Sequence, residues 1–116
     1  IWATWCGPCV KEMPSLEALQ KNIGSPQFAI LPLSEDRTDA AVSTFYQRHA
    51  LTHLPIAIDH AGTAPSALHI EGLPTTLLIN PQGEEIARIE GDGDWNTPDV
   101  IAFLREQMKT TASSRP

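Results

Sequence analysis

Apolar residues along the chain alternate between short continuous runs, which are typical of buried strands, and segments with the three-to-four spacing of helices. The predicted strands lie at 1–5, 28–33, 55–59, 75–79 and 85–90, and the predicted helices lie at 7–22, 38–49, 63–68 and after residue 97. Residues 35–37 and 80–83 are predicted turns. This order predicts an α/β fold, with helices on both faces of a central mixed sheet.

Local signals set the ends of these helices. The first helix has apolar residues at Val10, Met13, Leu16, Leu19 and Ile23; Gly24 follows as a stop signal, and the internal Pro14 should bend it. Thr38 or Asp39 caps the second helix, and Thr97 caps the last one, with Pro98 in its first turn. The last helix should bury Val100, Ile101, Phe103, Leu104 and Met108.

Length and composition fit one globular domain. The 116 residues are 41% hydrophobic, and we expect a domain over 1–109 followed by a flexible polar tail over 110–116. The net charge is −6 and no stripe of Lys and Arg is present, so nucleic acid is not expected as a partner.

The two cysteines of the chain, Cys6 and Cys9, open the first helix. Unpaired N–H groups and the helix dipole favour negative charge there, so Cys6 should ionise readily and attack a partner's disulfide. Cys9, one turn further on, would then release the partner. Pro8 fits the first turn, Gly7 leaves the sulfur accessible, and Trp5 offers a flat apolar surface beside it.

Two other interpretations of the cysteine pair remain open at this point. His49 and His53 could supply the second half of a zinc site, although the 39 intervening residues exceed the usual spacing. A structural disulfide that does not cycle is the other alternative. The proline between the cysteines and the helical start favour redox chemistry over metal binding.

A second motif surrounds Pro74, which lies at the start of a strongly β-prone run. A cis Leu73–Pro74 bond would suit a proline in this place, because cis bonds are almost confined to proline in tight turns. An ordinary trans turn proline fits the sequence as well.

The segments WATWCGPC at 2–9 and GLPTTLLINPQGE at 72–84, with Gly91, resemble the thioredoxin superfamily along almost the whole chain. The central stretch 34–63, the KEMP that follows the cysteines and the later GDGDW resemble its TlpA/ResA branch of exported thiol-disulfide oxidoreductases. The resemblance implies a thioredoxin-like fold.

The resemblance also implies roles for individual residues. Cys6 would be the nucleophile and Cys9 the resolving cysteine. Pro74 would be a cis-proline facing them, and the backbone of Leu73 would pair with an extended client. Glu12 matches a family acid that tunes the thiols; alternatively, it is a solvated helix residue.

In that family the activity is reduction of disulfides in exported client proteins, for haem attachment to cytochrome c or for copper-site assembly. A membrane or soluble thiol donor would supply electrons, and no organic cofactor or metal is implied. The implied location is periplasmic or extracytoplasmic, with an anchor upstream of Ile1. The alternatives are a disulfide oxidant or isomerase, and a binding module of the copper-chaperone kind.

The chain departs from the family pattern in three places, and one of them is Leu68, which replaces a common aromatic residue. His69 stands where the family often has glycine, so the turn before Pro74 is expected to differ. Ile1 falls inside the strand that delivers the cysteines, so we expect a fragment with a truncated N-terminal strand. A neighbouring copy would then supply the missing backbone partners, by strand swapping or edge pairing.

Overall fold

A computed structural model describes residues 1–113 and shows an α/β protein of four helices and four strands within that range. The helices are α1 (Gly7–Ile23), α2 (Asp39–Arg48), α3 (Ala64–Ala67) and α4 (Pro98–Ser113). The strands are β1 (Leu33–Ser34), β2 (Ala57–Ile58), β3 (Thr75–Ile79) and β4 (Glu85–Glu90).

The strands form two small sheets, where a single central sheet was expected. β1 pairs with β2 in parallel, and β3 pairs with β4 as an antiparallel hairpin. Ile1 and Trp2 lie between the sheets and join them. The backbone N–H of Trp2 donates to the carbonyl of Leu33 over 3.1 Å, and Ile1 exchanges two hydrogen bonds with Thr75, of 2.8 and 3.2 Å. The strand predicted over 1–5 is therefore reduced to these two residues, and a turn follows them.

The strand predicted over 28–33 is wrong for most of its length. Only Leu33 belongs to a strand, and Phe28 instead closes a tight turn by pairing with Ser25. Pro32 has no N–H to donate, and the N–H of Ile30 bonds to the side chain of Gln20 over 2.8 Å. An apolar run forms a strand only where a neighbouring backbone is available to pair with it.

Helix ends follow the local signals. Thr38 caps α2 by accepting the N–H of Ala41, and Thr97 caps α4 by accepting the N–H of Val100, each over 3.3 Å. α1 stops at Gly24, whose N–H donates to the carbonyl of Gln20, over 2.8 Å.

The main core lies where α1 and α2 meet the N-terminal segment. Its buried members are Trp2, Ala3, Cys6, Cys9, Met13, Leu16, Val42, Phe45, Tyr46, Leu51 and Leu54. A second cluster joins α1 to α4 through Leu19, Ile23 and Leu104. Because both cysteines belong to the main cluster, the core itself fixes the start of α1.

The C-terminal helix differs from its predicted form in two respects. Phe103, expected in the core, is 50% exposed, and α4 continues through Ser113 into the predicted tail. The rest of that predicted tail, 114–116, lies outside the described residues. Within the described part of the chain, no helix is both long and apolar enough to cross a membrane.

Candidate active site at the Cys6–Cys9 pair

Cys6 is the N-cap of α1 and is disulfide-bonded to Cys9. Its backbone is extended, with φ −96° and ψ 111°, while its Sγ accepts the N–H of Cys9 over 3.3 Å. The Cα atoms of the pair are 5.2 Å apart. Cys6 is 8% exposed and Cys9 is fully buried, so a partner can reach only the first sulfur. A helix N-terminus that donates an N–H to this sulfur stabilises negative charge on it.

The surface around Cys6 is open and partly apolar. Trp5 is 70% exposed, and Gly7 and Pro8 are exposed as well. Apart from its chain neighbours, a Cβ at Gly7 would meet nothing within 4 Å, so the space around this position is open. Pro8 lies in the first turn of α1, where its missing N–H leaves no helical bond unmade.

The Leu73–Pro74 peptide bond is cis, which confirms that interpretation over the trans alternative. Pro74 is buried and Leu73 packs against the main core that contains both cysteines. The hydroxyl of Thr75 donates to the carbonyl of Gly72 over 2.6 Å, and the N–H of Gly91 donates to the carbonyl of Pro74 over 2.9 Å. These bonds hold residues 72–74, called the proline loop below, at the start of β3.

His69 adopts φ 54°, a left-handed conformation that glycine occupies at less cost. The guanidinium of Arg88 donates to the carbonyls of Leu68 and His69 over 2.7 and 3.0 Å, and so holds this loop against β4. The turn before Pro74 therefore keeps the conformation that glycine favours, although histidine occupies the position.

Glu12 is buried, with 4% exposure, so the alternative of a solvated helix residue is wrong. Its Oε2 accepts the indole N–H of Trp95 over 3.0 Å and the N–H of Gly93 over 3.2 Å. Burial raises the pKa of Glu12 above its usual value, and these two hydrogen bonds oppose that rise. Glu12 lies three residues after Cys9 on α1, which places both on one face of the helix. The buried carboxyl of Glu12 therefore joins the helix face that bears Cys9 to the segment around Gly93 and Trp95.

Asp36, in the predicted turn over 35–37, is a second buried carboxyl that was not among the predicted site residues. Asp36 is 5% exposed, and its two oxygens accept the N–H and the hydroxyl of Thr4 over 2.9 and 2.5 Å. Ser34 donates its hydroxyl to the same carboxylate over 2.6 Å. No sequence signal distinguishes this aspartate from a turn residue, because its burial depends on contacts with a segment 32 residues away.

Glu35, also placed in the predicted turn, lies at a further carboxyl pair. Its Oε2 atom is buried and has no hydrogen-bond partner among the described residues. Burial and the neighbouring Asp59 raise the pKa of Glu35 to about 7. The pKa of Asp59 is lowered, chiefly because its carboxylate accepts a hydrogen bond from the backbone N–H of Ala64. The two pKa shifts have opposite directions, so the carboxyl of Glu35 takes up a proton more readily than that of Asp59.

The residues of the zinc alternative are not brought together. Among residues 1–113, no group of three or more His, Cys, Asp or Glu side chains is placed to hold a metal ion. His53 instead bonds to Glu17, through its ring nitrogen over 2.6 Å, and so fastens the loop after α2 to α1.

An apolar groove of about 850 Å³ lies between α1, β3 and α4, and its lining includes Glu12 but neither cysteine. Residues 27–33 and β3 line it together with side chains of α1 and α4. Thr75 bonds to Ile1 on this edge of β3, and no backbone bond continues along that edge through 76–79 in the described chain. The exposed apolar residues at the groove are Leu31, Ile79, Ile89 and Phe103.

Comparison with known proteins gives a consistent assignment. A thioredoxin-like family model matches residues 1–85. The thiol-disulfide oxidoreductase ResA of Bacillus thuringiensis subsp. konkukian is 37% identical over 91 residues, which are 78% of this chain and 52% of that protein. ResA of Halalkalibacterium halodurans is 36% identical over 96% of this chain and 61% of its own length. The chain thus spans about half to three fifths of these relatives.

Among solved structures, StoA from Bacillus subtilis superposes with a TM-score of 0.74 at 26% identity, covering 91% of this chain and 76% of its own. A putative thiol:disulfide interchange protein DsbE from Chlorobium tepidum has a TM-score of 0.73 at 23% identity, over 95% of this chain and 74% of its own. The latter likeness concerns the fold alone.

Proposed function

Because the chain belongs to the thioredoxin-like family, we propose that it is a thiol-disulfide oxidoreductase acting through Cys6 and Cys9. The observation that carries this proposal is the position of the Cys6 sulfur, at the N-cap of α1 and in a disulfide with Cys9. ResA relatives named as thiol-disulfide oxidoreductases support it.

In the reduced protein, the Cys6 thiolate attacks one sulfur of a client disulfide. A Cys6–client bond forms as the client S–S bond breaks, and the departing client thiolate takes up a proton. Cys9 then loses its proton and attacks the Cys6 sulfur, which releases the second client thiol. Two electrons have passed to the client, and the Cys6–Cys9 disulfide remains. A thiol donor restores the dithiol in a second exchange, so no organic cofactor is required.

We assign client binding to the exposed surface around Cys6 and to the proline loop. Trp5 would provide apolar contact, Gly7 and Pro8 would leave room for approach, and the backbone of the Leu73–Pro74 segment would lie along the client. A client in extended conformation would pair with the Leu73 backbone, taking affinity from its main chain and specificity from adjacent side chains.

Glu12 is the proposed group that tunes the thiols. Its carboxyl lies on the face of α1 that bears Cys9, and burial raises its pKa. A neutral Glu12 avoids like-charge repulsion when Cys9 ionises to resolve the mixed disulfide. A charged Glu12 would oppose that step.

We propose reduction as the direction of transfer, since the Gly7–Pro8 pair resembles that of strongly reducing thioredoxins. The clients would be exported proteins awaiting haem attachment or copper insertion, and the setting periplasmic or otherwise extracytoplasmic. A membrane or soluble thiol protein would be the donor, and a segment upstream of Ile1 the anchor. A disulfide oxidant or isomerase is the alternative that the same cysteines allow.

Trapping of the mixed disulfide tests the mechanism. Cys9→Ser should accumulate a covalent adduct with an oxidised client peptide, because the resolving thiol is absent. Cys6→Ser should form none, and the double variant controls for non-specific coupling. Mass spectrometry of the non-reduced protein identifies the adduct. Equal trapping by both single variants would contradict the assigned roles.

We also propose that the 116-residue chain associates with a second copy through the groove beside β3, by strand swapping or edge pairing. Support comes from the open edge of β3 and the exposed apolar side chains beside it. Light scattering during gel filtration should show a dimer that Phe103→Lys weakens. A monomer at all concentrations would contradict the proposal.

A further inference from the structure

Thr4 and Trp5 form the turn that leads from the core residue Ala3 to Cys6. It begins at Ala3, which is buried, and closes where the N–H of Cys6 donates to the Ala3 carbonyl over 3.2 Å. Trp5, between them, is largely exposed. Thr4 is therefore the residue of the turn whose hydrogen bonds reach another part of the chain.

Both bonds of Thr4 go to one side chain. Asp36 accepts the Thr4 N–H and hydroxyl over 2.9 and 2.5 Å, and it also accepts the Ser34 hydroxyl over 2.6 Å. The N–H of Asp36 returns to the Ser34 hydroxyl over 2.9 Å, which fixes the carboxylate at the end of β1. In the described part of the chain no cation pairs with this carboxylate, so hydrogen bonds alone compensate its charge.

We propose that Asp36 is a positioning residue for Cys6, acting through Thr4; the proposal rests on the oxidoreductase function argued above. With Thr4 anchored to the end of β1, the turn holds the Cys6 backbone in the extended conformation of an N-cap. In this conformation the sulfur receives the N–H of Cys9. Charge-assisted bonds of this kind are short and directional, which suits them to fixing a turn.

A purely structural role for Asp36 makes a different prediction. If the cluster only stabilises the fold, its removal should lower stability and leave the chemistry of folded molecules unchanged. If it positions Cys6, the folded protein should also lose reactivity at that sulfur. The rate of alkylation of Cys6 in the reduced protein, followed against pH, separates the two.

Thr4→Val and Thr97→Val form a matched pair for this test. Each removes one threonine hydroxyl and its hydrogen bond, but Thr97 only caps α4. At pH 7, Thr4→Val should slow Cys6 alkylation between about threefold and tenfold, the effect of one net hydrogen bond, and move the midpoint to higher pH. Thr97→Val should lower stability by a similar amount but leave the alkylation rate and its pH midpoint unchanged. Thr4→Ser, which keeps both bonds, should restore the wild-type profile.

Asp36→Asn extends the test, because one amide oxygen cannot replace the acceptors of a carboxylate. It should slow alkylation at least as much as Thr4→Val; if it fails to fold, the threonine pair decides alone. Identical profiles for Thr4→Val and Thr97→Val would overturn the proposal. Turnover of an oxidised client peptide, measured on the wild type, separately tests the proposed function. A protein inactive on that peptide whose alkylation still depends on Thr4 would contradict only the function.

Discussion

Replacing Glu35 by glutamine should abolish a loss of stability that the wild-type protein undergoes between pH 4.5 and 7. Burial, with Asp59 alongside, raises the pKa of Glu35 from 4.5 to about 7. The native protein therefore retains a proton that the unfolded chain has released. The stabilisation from this proton is complete below pH 4.5 and disappears as pH rises through about 7.

The size of this stability loss follows from the interval between the pKa values of Glu35 in the unfolded and native protein. One bound proton changes the free energy of unfolding by about 1.4 kcal/mol per pH unit. Over the two and a half units between the two pKa values, the upper limit of the effect is about 3.5 kcal/mol. The lowered pKa of Asp59 has the opposite effect: it makes the protein less stable as pH falls and this group is protonated. That loss occurs at more acidic pH than the interval from 4.5 to about 7. The raised pKa of Glu12 also lowers stability as pH rises. This contribution is the same in the wild type and in Glu35→Gln, so it cancels when the two proteins are compared.

Urea unfolding of the oxidised protein, followed by circular dichroism from pH 4.5 to 7.5, measures the effect without titration of the cysteines. Relative to wild type, Glu35→Gln should gain stability steadily as pH rises, because its amide can hydrogen-bond to Asp59 without ionising. Glu90→Gln, at an exposed position of β4, controls for the loss of one negative charge. A stability difference that stays constant across this range would refute the reasoning.

Three further substitutions test local features of the fold. Glu12→Gln should likewise gain stability relative to wild type as pH rises above 4.5, since burial raises the pKa of this carboxyl; a difference that falls with pH in urea unfolding would contradict this. Ala50→Gly should stabilise the protein by about 0.5–1 kcal/mol, because Ala50 adopts φ 52° after α2, and a lowered melting temperature would count against it. Gly24→Ala should destabilise by about 2 kcal/mol or more, since the added Cβ would collide with the backbone carbonyl of Gln20; unchanged urea unfolding would show that α1 can end differently.

The parts of the structure that sequence could predict are those with local signals. The start of α1 at the cysteine pair, the caps at Thr38 and Thr97, and the hairpin of β3 and β4 agree with prediction because each depends on residues a few positions apart. The cis bond at Pro74 was one of two alternatives, and the structure decided between them. Proline and the caps restrict the backbone directly, whatever surrounds them.

The errors and omissions concern features that depend on distant partners. The apolar run 28–33 looked like a strand, yet pairing beyond Leu33 requires a neighbouring backbone that the described chain does not offer. Asp36 looked like a turn residue, and its contact with Thr4 appears only in three dimensions. Phe103 fits a helical apolar pattern but faces an open groove.

The measurement that tests the central claim most directly is the equilibrium of the Cys6–Cys9 disulfide in a series of thiol/disulfide buffers, read by mass spectrometry after alkylation. A reductase should give a reducing potential, near the value of about −270 mV typical of thioredoxin. A value near the −120 mV or so of a strong disulfide donor would reverse the assigned direction. A disulfide that fails to exchange with any buffer would make the pair structural and contradict the account.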